Sequence, residues 1–361
     1  MSDFTALCQE LEKAARLQKP FVAYRKPGAS EVRLFIQKDA GLYRFTSEKE
    51  AGFIFAPFSK DEAEVFFPRE KCELVTSFFE RTDQNKASSE KKVDLKDRVN
   101  SEQRQQYLDL VDRCLAFMKN SGTKKIVLSR KEEVRLEGLL ISEILGNLLE
   151  KYPAAFVYIW YHPAVGMWAG ATPETLFSLE NGKFKTMALA GTQRVQGEKE
   201  LLWGLKEREE QQIVTDYIKT ELQGLISRTA TPKTVRAGQV AHICTELEGT
   251  LTKDFGLLQL VDKLHPTPAV CGLPKETARS FIIEHEGYDR KFYTGFLGEI
   301  NLSLDRGPSA KTHLFVNLRC MELFENKAVL FVGGGITGDS DKEKEWEETV
   351  AKSATMRSIL I

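Results

Sequence analysis

The sequence predicts a mixed α+β fold in which helices pack outside large antiparallel sheets. The first observation is Asn181-Gly182 between two apolar runs, because Asn-Gly is a preferred pair for the tight turn of a β-hairpin. A second hairpin is predicted by the short turn 325–327, which also separates two apolar runs. Periodic segments at about 198–228 and 341–358 predict long helices flanking these strands.

The N-terminal part is predicted to be rich in β-strands. A helix over 3–18 comes first, with Asp3 as a suitable N-cap. Three strand-like runs follow, at 21–24, 32–37 and 53–58. The polar stretch 81–93 has no apolar period and predicts a linker. We therefore expect 1–95 to be the β-rich N-terminal part of one fold whose main part is 96–361.

Helices and strands alternate through the rest of the chain. Asn100-Ser101 is a possible cap for a helix that ends near Gly122. The run 124–130 reads as a strand with a buried apolar centre. A further helix is predicted at 140–152, and further strands at 155–161 and 165–169.

Composition excludes several classes of function. The 361 residues are 42% hydrophobic and carry a formal net charge of −1, so no global field attracts nucleic acid or acidic lipid. The six cysteines form neither a CxxC pair nor a zinc-ligand pattern, and we interpret them as buried thiols in a reducing cytoplasm. No basic, apolar leader and no membrane-length apolar run is present.

The segment 345–352 is the first candidate site. Glu345, Glu348 and Lys352 share one helical face, since residues at i, i+3 and i+7 point the same way. The apolar run 330–336 before it ends in three glycines, which predicts a helix beginning where backbone can approach a small anion. Two carboxylates and a lysine suit a divalent cation that holds an acidic metabolite. A solvated helix face is the ordinary alternative.

Lys125 and Glu174 are candidates for acid and base chemistry. Lys125 opens an apolar strand, where lost hydration could make it a usable base, although an exposed lysine at a strand end is the ordinary alternative. Glu174 follows a strand and a proline, so that a turn could aim its carboxyl into a cleft. The alternative for Glu174 is a glutamate at a helix N-terminus.

Three weaker signals complete the set. Gly191 and Thr192 follow a hairpin strand, where backbone could bind a carboxylate. Glu207 and Glu210 form a second acidic helical face, for which a solvated surface is again the alternative. None of the five histidines, including His265 in a proline-rich loop, forms a metal pair by spacing. Any metal should therefore be bound by oxygen, which favours Mg²⁺.

Nine segments, taken in order over about 125–352, resemble the chorismate-utilising enzyme family. They are Lys125-Ile-Val-Leu-Ser-Arg, Gly-Ala-Thr-Pro-Glu174, Leu-Ala-Gly-Thr192, Lys-Glu-Arg-Glu-Glu210, His-Pro-Thr-Pro-Ala269, Tyr293-Thr-Gly-Phe-Leu-Gly, Arg319-Cys, Gly-Gly-Gly335-Ile and Glu345-Trp-Glu-Glu348-Thr-Val-Ala-Lys352. The resemblance implies the fold of anthranilate synthase component I, a single large α+β domain of antiparallel sheets sandwiched between helices.

Two positions separate the chemistries of the family. Members that use ammonia typically carry glutamine at the position of Lys125, whereas lysine there resembles the water-activating base of isochorismate and salicylate synthases. Ala190 stands where aminodeoxychorismate synthases carry a nucleophilic lysine. The resemblance therefore implies a menaquinone- or siderophore-type isochorismate synthase, with no glutaminase subunit. Salicylate synthase and a non-catalytic, chorismate-binding descendant are the alternatives.

The resemblance also assigns roles to the candidate residues. Lys125 would take a proton from water attacking C2 of chorismate, and Glu174 would protonate the departing C4 hydroxyl. Mg²⁺ would be held by the carboxylates of Glu210 and Glu348, with Glu345 close by through water. The residues implied to bind substrate are Gly191, Thr192, Ala269, Tyr293, Arg319, Gly335 and Lys352. Gln211 departs from the family pattern, which usually has histidine at this position. The departure puts in doubt the contact by which that histidine would support Glu210.

Overall fold

The computed structural model describes residues 3–81, 101–138, 140–194, 201–237, 240–303 and 310–360. Except for Arg81, the predicted linker 81–93 lies outside these residues, as does the boundary between 1–95 and 96–361. That division of the chain stays a prediction. In the described part, no helix is both long and apolar enough to cross a membrane.

The described residues form seven α-helices, and most begin and end close to the predicted positions. In chain order they are α1 Phe4–Arg16, α2 Ser101–Ser121, α3 Ile141–Lys151, α4 Leu205–Glu221, α5 Leu257–Leu264, α6 Lys275–His285 and α7 Lys342–Arg357. Asp3 caps α1 as predicted, since its side chain accepts a hydrogen bond from the amide of Thr5. The helix predicted at 198–228 is shorter than expected, because Gly204 is its N-cap and the left-handed Gly224 (φ +81°) follows its end.

Two antiparallel sheets of nine strands each make up the rest of the described fold. Strands are numbered along the chain. In spatial order the first sheet contains β14 (Gly272–Leu273), β6 (Lys125–Arg135), β18 (Lys327–Ile336), β17 (Cys320–Leu323), β8 (Gly166–Thr172), β7 (Phe156–His162), β1 (Phe21–Arg25), β2 (Glu31–Gln37) and β5 (Cys72–Phe78). The second contains β11 (Ile226–Thr229), β13 (Val240–Thr250), β10 (Lys183–Arg194), β9 (Thr175–Glu180), β16 (Lys311–Val316), β15 (Phe296–Leu302), β3 (Gly52–Ala56) and β4 (Val65–Pro68), with β12 (Lys233–Ala237) also paired to β13.

Both predicted hairpins are confirmed. Asn181 and Gly182 have φ angles of 51° and 74°, as a type I′ turn requires, and Glu180 pairs with Lys183 across it. The turn after β17 pairs Leu323 with Ala328 of β18. The predicted α+β class with large antiparallel sheets is therefore confirmed.

The sheets face each other across an aromatic core, and helices cover their outer faces. Buried rings from both sheets meet between them, among them Phe156 of β7 and Phe315 of β16, whose centroids are 4.2 Å apart. Helices α1 and α3 pack on the first sheet through side chains such as Leu7 and Leu145. Helices α4 and α5 cover the second sheet, with Ile218 fully buried.

Two of the segments in which the chain passes from one sheet to the other are neighbours in space. Pro173-Glu174 joins β8 to β9, and residues 317–319 join β16 to β17. Hydrogen bonds tie the crossings together: the Thr172 hydroxyl donates to the Val316 carbonyl at 2.6 Å, and the Val316 amide donates to the Glu174 carbonyl at 3.0 Å. The polar residues at these crossings therefore lie at the seam between the sheets.

The six cysteines are free thiols. Five are buried as predicted, whereas Cys8 is only partly buried because it lies at the edge of the apolar face of α1.

Candidate active site

A cleft with about 840 Å³ of empty space, part of it open to solvent, lies at the seam. Nine of the twelve candidate site residues line it: Glu174, Gly191, Thr192, Glu210, Ala269, Tyr293, Arg319, Gly335 and Lys352. They come from strands of both sheets, from α4 and α7, and from four connecting segments. Of the other three candidates, Lys125 and Glu348 form ion pairs with the wall residues Glu210 and Lys352, and Glu345 faces Gly334 of the wall.

Lys125 is completely buried, so the exposed strand-end alternative is wrong. It opens β6, and its Nζ lies 2.8 Å from Glu210 Oε1 on α4, at ion-pair distance without the angle of a hydrogen bond. Burial raises the pKa of Glu210, but the charges of Lys125, Lys352 and Lys206 outweigh burial and hold that pKa below its ordinary value. Glu210 is therefore a carboxylate in this site.

Glu174 lies in the two-residue crossing between β8 and β9, so the helix N-terminus alternative is wrong. Burial raises the pKa of its carboxyl to about 8, although the charges of Lys125 and Arg319 act in the opposite direction. The side chain is therefore mostly protonated at neutral pH and can donate a proton. Glu174 and Glu210 therefore give this cleft one protonated and one ionised carboxyl group.

The three glycines lie inside β18, which corrects the expectation that they open the next helix. Helix α7 begins later, at Lys342, where the Asp341 side chain accepts from the Lys344 amide. The glycines pair with β6, and a Cβ at Gly335 would lie 2.4 Å from Glu210 Oε1 and 2.8 Å from Lys125 Cε. Gly335 therefore leaves the space that this ion pair occupies.

Helix α7 folds back over β18 and is fixed there by Arg130. The guanidinium stacks 4.5 Å from the Trp346 ring centroid, and its Nε donates to the Thr349 hydroxyl at 2.8 Å. This packing places Lys352 over the strand, where its Nζ donates to the Gly333 carbonyl at 3.0 Å and pairs with Glu348 at 2.6 Å. The predicted acidic and basic face of this helix therefore points into the molecule.

The carboxylates of Glu345 and Glu348 converge above Gly334. A Cβ at Gly334 would lie 3.5 Å from Glu345 Oε2 and 3.8 Å from Glu348 Oε1. Glu345 is 1% exposed, and its Oε2 has no hydrogen-bond partner among the described residues. Burial raises the pKa of Glu345, and the charge of Lys206 opposes that rise. A buried carboxylate oxygen without a partner suits a hard cation.

The described residues contain no group of three or more His, Cys, Asp or Glu side chains already gathered as metal ligands. Instead, Glu210, Glu345 and Glu348 are each paired with a lysine. The oxygen donors fit magnesium in kind, and their assignment as its ligands stays a prediction. Glu207 does not line the cleft, so the second acidic face contributes only Glu210.

Gly191 lies at a bulge in β10, where the register with β13 shifts between Ala190 and Thr192. Its φ of +72° favours glycine, and a Cβ there would lie 2.9 Å from the Glu207 carbonyl oxygen. The bulge turns the Gly191 carbonyl toward His242 on β13, whose Nδ1 is 3.0 Å away. The glycine predicted as a backbone ligand for substrate therefore also orients a neighbouring histidine.

His242 connects that bulge to Arg319. Its Nε2 lies 2.8 Å from the Arg319 guanidinium, which can only donate, so Nε2 accepts and Nδ1–H donates to the Gly191 carbonyl. Burial, followed by the charges of Arg319 and Lys352, holds the His242 pKa well below its ordinary value. Burial lowers the Arg319 pKa to about 10, so this side chain stays cationic at neutral pH.

Sequence reasoning missed His242. It is a single histidine in a strand, and no motif or metal-type spacing marks it. Only the bulged register, which sets it opposite Thr192, brings it to the cleft.

Gln211 replaces the histidine expected behind Glu210. Its buried amide donates to the hydroxyls of Thr215 and Thr245, at 2.8 Å and 2.6 Å. These bonds tie α4 to β13 and hold the helix that carries Glu210.

Comparisons with known proteins agree with this geometry. The sequence pattern described as "Chorismate binding enzyme" matches residues 54–361. "Isochorismate synthase EntC" of Escherichia coli strain K12 is 29% identical over 262 residues, which cover 69% of this chain and 66% of that protein, just under two thirds of its length.

Two solved structures share the fold. DhbC from Bacillus anthracis, described as a 2,3-dihydroxybenzoate-specific isochorismate synthase, superposes with a TM-score of 0.77 at 22% identity, covering 98% of this chain and 99% of that one. Anthranilate synthase component I from Streptococcus pneumoniae gives a TM-score of 0.65 at 18% identity, covering 93% and 92%. The family pattern spans most of the chain, and the chain therefore belongs to the chorismate binding enzyme family.

Proposed function

We propose that this protein is an isochorismate synthase that converts chorismate reversibly into isochorismate. The observation that carries the proposal is a buried lysine and a buried, protonated glutamic acid beside one cleft. The name of the Escherichia coli relative supports the same activity. The proposal includes a cytoplasmic location and a chain that works without a glutaminase subunit.

Lys125 is proposed as the general base. In its neutral form Nζ removes a proton from water as the water oxygen bonds to C2 of chorismate. Glu210, 2.8 Å from Nζ, orients the amine before the reaction and stabilises the ammonium that forms.

Glu174 is proposed as the general acid. Its carboxyl donates its proton to the C4 oxygen as the C4–O bond breaks and both ring double bonds shift by one position, so one water is added and one is released. The raised pKa keeps this proton available at neutral pH. Proton transfer from the Lys125 ammonium back to Glu174, through solvent, restores both groups.

Binding of the substrate dianion is assigned to local cations. Arg319 and Lys352 line the cleft and are suited to the carboxylates of chorismate. The bulge at Gly191 offers backbone amides beside them, and Thr192, Ala269 and Tyr293 complete the wall. Magnesium held by Glu210, Glu345 and Glu348 would neutralise the ring carboxylate of chorismate when bound.

The product of the reaction tests the proposal. With chorismate and Mg²⁺ near neutral pH, the protein should form isochorismate up to an equilibrium mixture, measured by chromatography. A lactate-dehydrogenase-coupled assay should detect little pyruvate. Pyruvate and salicylate formed as fast as chorismate is lost would make the protein a salicylate synthase. Unchanged chorismate would favour the non-catalytic alternative.

The protonation of Glu174 predicts a pH dependence. Because the acid must carry its proton, kcat/KM should fall as the pH rises through about 8, the pKa of Glu174. The residual activity of Glu174→Gln should lack this fall, since glutamine does not titrate. Initial rates over the pH range measure both profiles. A wild-type kcat/KM that stays flat between about pH 7 and 9 would remove Glu174 from the acid role.

A further inference from the structure

Three lysines neutralise the acidic set of this site, one for each carboxylate. The pairs, with their N to O distances, are Lys125 with Glu210 at 2.8 Å, Lys206 with Glu345 at 2.5 Å, and Lys352 with Glu348 at 2.6 Å. With all three lysines protonated, as in the resting site before Lys125 loses the proton that it must give up to act as a base, each pair balances one negative charge, so the described site is compensated without a metal. A divalent cation placed among these carboxylates would meet three ammonium groups at short range.

Lys206 is the most exposed of the three lysines, so its side chain can move out of the site more easily than the other two. Its side chain is 39% exposed, against 1% for Lys125 and 21% for Lys352. It does not line the cleft, and it lies on α4 one turn before Glu210. Its ammonium is hydrogen-bonded to Glu345, and a lysine side chain can carry that group into water by rotating its flexible stem.

Glu345 remains in place whether or not Lys206 is there. Its Oε1 also accepts from the Ser340 hydroxyl at 2.7 Å, and its Oε2, above Gly334, has no hydrogen-bond partner in the part of the chain that the structure describes. The helix around it is fixed by the contacts of Trp346 with Arg130. Because Glu345 is held in place without Lys206, its carboxylate can exchange the Lys206 ammonium for another cation.

We infer that Lys206 is a built-in competitor of the divalent cation at Glu345. Without metal, its ammonium neutralises the buried carboxylate and joins α4 to α7. When the cation binds, repulsion between the two positive charges drives the Lys206 side chain into solvent. This inference rests on the proposed function, since it takes magnesium as the cation. Lys206 thus weakens magnesium binding while keeping the two acidic helices together in its absence.

Magnesium affinity tests the inference directly. Lys206→Gln keeps a polar side chain and removes the competing charge, so we expect Mg²⁺ alone to bind about three- to tenfold more tightly by isothermal titration calorimetry. Lys344→Gln is the matched control: it removes the same charge from an exposed position next to Glu345, and it should change affinity by less than about twofold, because exposed charges are screened.

Chemical labelling of Lys206 supplies a readout independent of affinity. In the wild type, reaction of its amine with acetic anhydride, quantified by peptide mass spectrometry, should rise when Mg²⁺ is added, while labelling of Lys344 stays constant. Unchanged labelling together with equal or weaker binding by Lys206→Gln would overturn the competitor role alone. If the wild type bound no Mg²⁺ by either readout, the proposed magnesium site would fail as well.

Discussion

Alanine in place of Lys125 should lower the rate of chorismate conversion by about 10²- to 10⁴-fold, the usual loss when a general base is removed. The side chain is completely buried beside Glu210, and alanine offers no group that can take a proton at that place. Chorismate should still bind, because Arg319 and Lys352 remain. Initial rates of isochorismate formation and a chorismate-induced shift in melting temperature measure the two effects.

Lys124→Ala is the matched control, because it removes an exposed lysine from the neighbouring position. Its rate should stay within about twofold of the wild type, since surface charges contribute little. A Lys125→Ala variant that folds, binds chorismate and keeps more than about a tenth of the rate would rule out the base role. Glu174→Gln should lower the rate by a similar factor. The double variant should be only slightly slower than the slower of the two single variants, because the two groups act in the same step.

Local patterns were enough to predict most elements of this fold. The apolar run that predicts β6 and the Asn181-Gly182 turn depend only on neighbouring residues, so the sequence shows them directly. The order of strands in the two sheets was not predictable in this way. It depends on pairings between distant segments, such as β1 with β7, which leave no periodic signal.

The same distinction applies to the candidate site. The helical spacing of Glu345 and Glu348 predicted a shared face, and the structure has them converge above Gly334. The position of the glycines was misjudged, since strand pairing with β6 continues through them instead of ending. His242 was missed because its place depends on one bulge in β10. Family resemblance, rather than spacing, brought Arg319 and Tyr293 into the prediction.

Glutamine in place of Glu348 should raise the magnesium concentration needed for half-maximal activity by about tenfold to hundredfold or more. Losing a group that only hydrogen-bonds to a metal ligand already weakens metal binding by about that factor, and Glu348 is proposed as a ligand itself. The carboxylate lies beside Glu345 above Gly334, so its removal takes one charged oxygen donor from the proposed set. It also leaves Lys352 without its 2.6 Å partner, and the added positive charge further disfavours a cation. Titration of activity with Mg²⁺, and calorimetry without substrate, measure the loss.

Glu347→Gln is the matched control for this prediction, because Glu347 is exposed on the same turn of α7 and faces away from the cleft wall. Its magnesium dependence should stay within about twofold of the wild type. Glu210→Gln should behave like Glu348→Gln and in addition release Lys125 from its ion pair. If Glu348 served only to pair with Lys352 beside Glu345, Glu348→Gln would change the melting temperature and leave the magnesium requirement unchanged. Full turnover by the wild type in excess chelator would show that these carboxylates serve Lys125 and Lys352 rather than a metal.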